Sequence, residues 1–400
     1  MPVNSTSELH VPDTVARTHR LESIDWLRGF VMVIMTLDHV RDFFSPSGPD
    51  PLTDPNVTAA LFATRWVTHL CAPTFVLLAG VSIGLMLKRR TAKVLSRFLL
   101  SRGLWLIFLE ATVVTFAWKF NFSNSPGAVI FQVIWAIGVA MLLLAGVIHL
   151  PRSAALAIGI TLVAGTNLLD GLLPAGGIQS LKPFWLSIHR QILTAPGGIQ
   201  ILILYPILAW TGVMTCGYVL APIFSWESRR RQLFLARLGG GLLTLFIFLR
   251  LLDVYGDPNP WLPGDNWGRT LMNFLNVEKY PPSMLFLVAT IGIALLLLAL
   301  VERWRSPLHN AFVTIGRVPL LYYVAHLYAA HLLAVAAGML MGLPPSAWLA
   351  DPFMNKPAGY GFGLPVVYSV WIGVVLALYP VCRWFARLKA QRKDWWLSYL

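Results

Sequence analysis

The sequence predicts an all-α polytopic membrane protein of about ten transmembrane helices, with both termini in the cytoplasm. Three observations predict it. Of 400 residues, 56% are hydrophobic and only 12% charged, too few charges to cover the soluble domains that such a length could otherwise hold. Stretches without a single Asp, Glu, Lys or Arg recur at 66–87, 120–151, 191–226, 280–301, 318–350 and 357–382, each long enough for a bilayer crossing. Lys and Arg are also crowded in every second loop and sparse in the others, as the threading of a polytopic chain requires. Soluble enzymes, disordered chains and disulfide scaffolds are excluded. Cys71, Cys216 and Cys382 lie far apart in apolar runs and form no metal or redox spacing, so no metal site is expected.

Taken in order, residues 1–22 are polar and read as a disordered cytoplasmic segment without a cleavable signal peptide. Helix 1 then spans about 24–44, broken by Arg28, Asp38, His39 and Arg41, and acts as the targeting signal. Helix 2 occupies 66–87. Helix 3, 100–118, carries Glu110, and helices 4 to 6 fall at 120–151, 153–173 and 191–226. Helix 7 is squeezed into 234–253, with Arg237 and Arg250 expected to snorkel at its two ends. Helices 8, 9 and 10 take the last three charge-free runs. Residues 23–390 thus form one transmembrane domain and 391–400 a cytoplasmic tail.

The clusters Lys88–Lys93, Arg229–Arg231 and Arg383–Lys393 mark the cytoplasmic side. Topology accounts for the net charge of +13, and nucleic acid is not required as a partner. The outer loops 45–65, 174–198, 254–279 and 342–364 are the longer ones, rich in Pro, Gly, Trp and Asp. No internal repeat is visible, which disfavours inverted-repeat transporters.

Ionisable groups inside the spans are the candidates for function, because each is costly there. Asp38 and His39 fall toward the outer end of helix 1, and His69 near the outer start of helix 2. Helix 8 opens on Lys279-Tyr280-Pro281-Pro282-Ser283 at the same side, while helix 9 brings Tyr322, Tyr323, His326, Tyr328 and His331. Tyr322 and His326 share a face. His326 and His331 diverge by about 140°, so one of them faces the cavity and the other fits a structural role. Asp38 and His39 point about 100° apart, which leaves Asp42 as an alternative orienting partner for His39. At the inner end Asp25 and Arg28 are three residues apart, with Arg102 and Arg317 at similar depth. Glu110 needs a partner from another helix, a proton or water.

The string Arg20-Leu-Glu-Ser-Ile-Asp25-Trp-Leu-Arg28-Gly29, followed by Leu37-Asp38-His39, resembles the opening of the heparan-α-glucosaminide N-acetyltransferase catalytic-domain family. Similar matches are Trp66-Val-Thr-His69 through Pro73 and Gly80, Phe131-Gln132 through Gly138, Tyr205-Pro206 through Gly212, Leu275 through Ser283, and Gly316-Arg317-Val-Pro319 through His326. The resemblance runs from residue 20 to 400. It implies a transmembrane acyltransferase that moves an acetyl group from cytoplasmic acetyl-CoA to a sugar amine or hydroxyl across the membrane, in a bacterial inner membrane. The lysosomal member carries its key histidine in the first outer loop, whereas residues 45–64 here hold none. Either His39 or His69 substitutes, or the covalent role of that histidine does not carry over.

Acetyl transfer needs a base near neutrality, which histidine supplies, and donors for the tetrahedral oxyanion, for which Lys279, Tyr280 or a tyrosine of helix 9 is available. The expected site has His39 as base, Asp38 or Asp42 orienting it, and His69, Lys279, Tyr280, Tyr322 and His326 on the acceptor side. Arg28, Arg102 and Arg317, with Asp25 and Gln132, would hold the phosphates and arm of CoA. Direct transfer is preferred to an acetyl-histidine intermediate. Partners are a sugar or glycan acceptor and membrane lipids, and a homodimer is left open. The rival readings are a transporter or flippase for a sugar or lipid-linked glycan, and a non-catalytic scaffold of an envelope-glycan complex.

Overall fold

The longest helix, α1 (Thr14–Phe44), carries ionisable residues at both ends of its apolar stretch and packs against six other α-helices. The computed structural model describes residues 14–121, 129–169, 191–194, 200–303, 307–348, 356–392 and 394–399. The segment expected to be disordered, 1–22, is therefore outside the described residues up to 13 and helical from Thr14. Most of the outer loop 174–198 is also outside them.

Short polar residues set the helix starts. Thr58 caps α2 (Ala59–Val67), which runs through a tight turn at Thr68–Leu70 into α3 (Cys71–Met86). Thr91 caps α4 (Ala92–Leu109), a π turn follows at Glu110–Val114, and α5 (Thr115–Lys119) ends in a left-handed Phe120. Next come α6 (Val133–Val147), α7 (Arg152–Ala164), α8 (Ile207–Leu220) and α9 (Ser228–Leu252). The short α10 (Trp267–Leu275) is capped by Asn266 and α11 (Met284–Val301) by Ser283. Last are α12 (His309–Gly316), α13 (Pro319–Leu340) and α14 (Leu364–Gln391).

Each of the ten expected intervals holds a helix. Seven spans among the described residues are long and apolar enough to cross a membrane, α6 and α7 are apolar but shorter, and α1 is too rich in charge to count on composition alone. Two charge-free runs are not helical throughout. Val129–Phe131 forms β1 ahead of α6, and Gln191–Thr194 (β2) and Gln200–Ile203 (β3) precede α8. β3 is central, parallel to β1 (Ile130 opposite Leu202) and antiparallel to β2. Absence of charge marks burial but does not tell a strand from a helix, and Pro206 stops the helix from reaching back into β3.

Arg250 also departs from expectation. It does not snorkel: it is 1% exposed and donates to the carbonyls of Phe274, Asn259, Asn273 and Asn276 at 2.6 to 3.3 Å. One guanidinium thereby fastens the loop that leads to Lys279.

Bare backbone at helix crossings holds the bundle together, as expected where hydrophobic burial cannot drive association. A Cβ on Gly29 of α1 would sit 1.8 Å from the Phe312 carbonyl oxygen, and one on Gly316 of α12 the same distance from that of Asp25. α3 and α8 meet likewise, with Gly80 against Met214 and Gly217 against Leu77. Gly29→Ala and Gly316→Ala are each expected to cost about 1–3 kcal/mol through overpacking, read as a lower melting temperature in detergent. Gly373→Ala, whose methyl would meet nothing within 4 Å, is the control that should not fall; equal behaviour of all three variants would exclude this packing.

Candidate functional site

Two cavities lie end to end along α1. The larger, about 790 Å³, is lined by Asp38, His39, Arg41 and Asp42 from α1, by Arg65 from α2, and by Lys279 and Tyr280 from the segment before α11. The smaller, about 310 Å³, has Arg28, Arg102, Arg317 and Lys389 around an apolar interior. Met35, Phe75, Val133 and Tyr323 line both, so these four side chains form a wall shared by the two chambers. Arg28 and His39 are eleven residues apart on α1, a rise of about 16 Å.

Ion pairs organise the large chamber. Asp38 is held by Arg41 Nη2 at 3.0 Å and Arg65 Nη1 at 3.3 Å. Arg65 reaches Asp50 at 3.4 Å, and Arg41 also donates to Asp42 at 2.5 Å. Buried charges persist only when paired in this way. Lys279 is buried, its ammonium 5.0 Å from the centre of the Tyr280 ring. Lys356, from the loop before α14, donates to the Ser45 carbonyl at the rim.

His39 is not oriented by either aspartate. Its Nδ1 lies 2.7 Å from Nε2 of His326 on α13, and His326 Nδ1 lies 2.9 Å from the Tyr322 carbonyl oxygen. Trp118 stands edge-on to the His39 ring at 5.0 Å. His326 and Tyr322 are fully buried behind the chamber, not on its wall, and the Tyr322 hydroxyl bonds Thr36 Oγ1 at 2.8 Å. His69 is also off the wall. It is 1% exposed, edge-on to Phe286, and neither ring nitrogen has a hydrogen-bond partner among the described residues. His331 stacks between Phe43 and Phe120 and its Nδ1 lies 2.8 Å from the Ala117 carbonyl, a packing role.

At the small chamber Arg28 bonds Asp25 (2.9 Å), the Gly316 carbonyl (3.1 Å) and Ser82 (3.0 Å). Asp25 thus stands behind Arg28 and is not part of the chamber wall. Gln132 lines the large chamber, not the small one. Glu110 finds its partner in backbone: its carboxylate accepts the N–H of Gln132 (3.3 Å) and of Trp135 (3.0 Å), at the N-terminus of α6. The π turn that begins at Glu110 ties α4 to the helix that supplies Val133 to the shared wall.

Sequence reasoning missed Arg65, Lys356 and Lys389 as chamber residues. The first two had served only as the ends of charge-free runs, and Lys389 lay in a cluster already explained by topology. Tyr323 is one of the helix 9 tyrosines expected as candidate oxyanion donors. Its hydroxyl is buried without a hydrogen-bond partner among the described residues, and it is the one polar side chain of the shared wall. Among the described residues no three His, Cys, Asp or Glu side chains converge on a metal position.

Burial lowers the Lys356 ammonium from its ordinary 10.5 to about 8. The unfolded chain therefore binds more protons than the fold between these values, so the penalty for burying Lys356 is full below about pH 8 and is lost as pH rises toward 10.5. Lys356→Met carries no such titration. The stability of the wild type relative to Lys356→Met should rise across that window in chemical denaturation; a constant difference would contradict the burial of this amine.

The family model described as heparan-alpha-glucosaminide N-acetyltransferase, catalytic, matches residues 20–249, which include α2 to α8 and most of α1 and α9. The likeness read in Lys279–Ser283 and in α13 lies beyond that match. No curated protein matches the chain.

Proposed function

The chain belongs to the heparan-α-glucosaminide N-acetyltransferase catalytic family, and on that premise we propose that it carries acetyl groups from cytoplasmic acetyl-CoA to an amine or hydroxyl of an extracytoplasmic sugar. It is an integral membrane protein of an acyltransferase family. In the proposed topology ten helices cross the bilayer of a bacterial inner membrane, and both termini are cytoplasmic. The observation that carries the reading is the pair of chambers that share one wall, with four basic residues at one and a histidine among paired charges at the other.

The chemistry follows from that division. Arg28, Arg102, Arg317 and Lys389 would hold the phosphates of CoA, as guanidinium and ammonium groups do for anions. They lie on the side of the basic loops, which threading assigns to the cytoplasm. The flexible arm reaches up the small chamber and places the thioester at Met35, Phe75, Val133 and Tyr323. The acceptor enters the large chamber, against Asp42, Lys279 and Tyr280. His39 takes the acceptor proton as the new N–C or O–C bond forms. The C–S bond breaks, and the departing thiolate receives a proton from His39. Lys279 or the Tyr323 hydroxyl offers a donor to the oxyanion between these steps. Water is kept from the thioester by the apolar wall.

A transporter would use the same polar groups as a permeation path and would move its cargo without acetyl-CoA. The two are separated by proteoliposomes supplied with radiolabelled acetyl-CoA on one side and glucosamine on the other. Label should appear on the amino sugar, with a fall of about 10²- to 10⁴-fold in His39→Ala while saturable stabilisation by acetyl-CoA persists. Full activity in His39→Ala rejects the site, and flux of glucosamine independent of acetyl-CoA favours the transporter.

A further inference from the structure

The hydrogen-bond chain behind His39 has a direction, set by its last acceptor. A carbonyl oxygen only accepts, so His326 Nδ1 donates to Tyr322 across 2.9 Å. With the His326 ring neutral, its Nε2 is left with a lone pair. His39 Nδ1, 2.7 Å away, must then donate into it. The other nitrogen of His39, Nε2, keeps a lone pair. The two rings are parallel to within 6° with centroids 4.9 Å apart, and with nitrogens only 2.7 Å apart they meet end to end, so the bond runs close to the ring planes, along the lone pair of an imidazole.

We propose that His326 is a positioning residue, which fixes His39 in its Nδ1–H tautomer and so presents Nε2 as the base. The inference rests on His39 being the base of the reaction above. Asp38 is barred from the role by Arg41 and Arg65, which hold its carboxylate. Asp42 is held by Arg41. His326 does not relay protons, because the group beyond it is a backbone carbonyl that can hold none. A proton taken at His39 Nε2 must leave by the same nitrogen, to the thiolate. During that interval the Nδ1–H bond to His326 becomes charge-assisted and strengthens, which favours the protonated intermediate state over the resting one. His326 is 0% exposed and lines neither chamber, so replacing it removes no contact to donor or acceptor.

The test compares His326→Leu, which removes the acceptor for His39 Nδ1–H, with His326→Gln, whose amide oxygen can reach the place of Nε2. With radiolabelled acetyl-CoA and glucosamine as probes, His326→Leu should lose about 10- to 100-fold in kcat, taking the size of effect seen when the group orienting a metal-bound histidine is removed. The KM for acetyl-CoA should stay unchanged, and His326→Gln should recover most of the loss. Equal defects in the two variants, or an unchanged kcat in His326→Leu, overturns the proposal. An independent reading comes from ¹⁵N shifts of histidine-labelled protein, the His39 signals being those missing in His39→Gln. A protonated Nδ1 and bare Nε2 at His39 support the chain, and the opposite tautomer refutes it. Because this second measurement needs no turnover, it stays informative if the wild type neither binds acetyl-CoA nor acetylates, a result that would sink the acetyltransferase reading alone.

Discussion

The structure depends on α1 carrying charged and polar side chains through an apolar bundle without leaving any charge alone. An unpaired charge at that depth is costly, and from Glu22 to Asp42 each one on α1 has a partner, on the same helix or on another. Arg28 is met by Asp25, Ser82 and the Gly316 carbonyl. Asp38 is met by Arg41 and Arg65, and His39 by His326. The backbone contact between Gly29 and Gly316 brings α12 close enough for its C-terminal carbonyl to serve Arg28. The same contact sets the start of α13, three residues later, from which Tyr322, Tyr323 and His326 project toward α1. Packing and polar pairing are therefore one requirement, met by one crossing.

How much of this the sequence reveals depends on which energy is at stake. Exclusion of charge from hydrocarbon acts on single residues, so the positions of Asp, Glu, Lys and Arg suffice to place a helix in every expected interval. The strands at 129–131, 191–194 and 200–203 carry no charge either, and escaped for that reason. His39 and Lys279 were legible as chamber residues because each is expensive by itself. Pairing was not legible, because it is a property of two segments at once. Arg65 and Asp38 are 27 residues apart, and His39 and His326 are 287 apart. Neighbours in sequence, Asp38 and Asp42, looked like partners of His39 and turned out to be claimed by arginines. Glu110 shows the same limit: its partners are backbone N–H groups, which no residue type announces.

Glu110 also shows how a structural group bears on the chamber without touching it. Its carboxylate sits at the N-terminus of α6, where bare N–H groups favour a negative charge. The π turn starting there widens the helix locally, a feature common near functional sites. Val133 follows directly from the capped turn into the shared wall, and Gln132 faces the large chamber. Trp118, on α5 beyond the π turn, packs on both His39 and Phe43. One carboxylate thus bears on two walls around His39.

The wall between the chambers is what separates acyl transfer from transport in physical terms. Met35, Phe75 and Val133 offer nothing to a hydrated ion or a sugar, which would have to shed water without compensation. An acetyl thioester is small and largely apolar, and loses little on entering such a place. Its carbonyl alone needs a donor, and the Tyr323 hydroxyl is the one polar group the wall contains. In the proposed reaction the chain would hold a charged nucleotide on one side and a hydrated acceptor on the other, letting only the acyl group meet both.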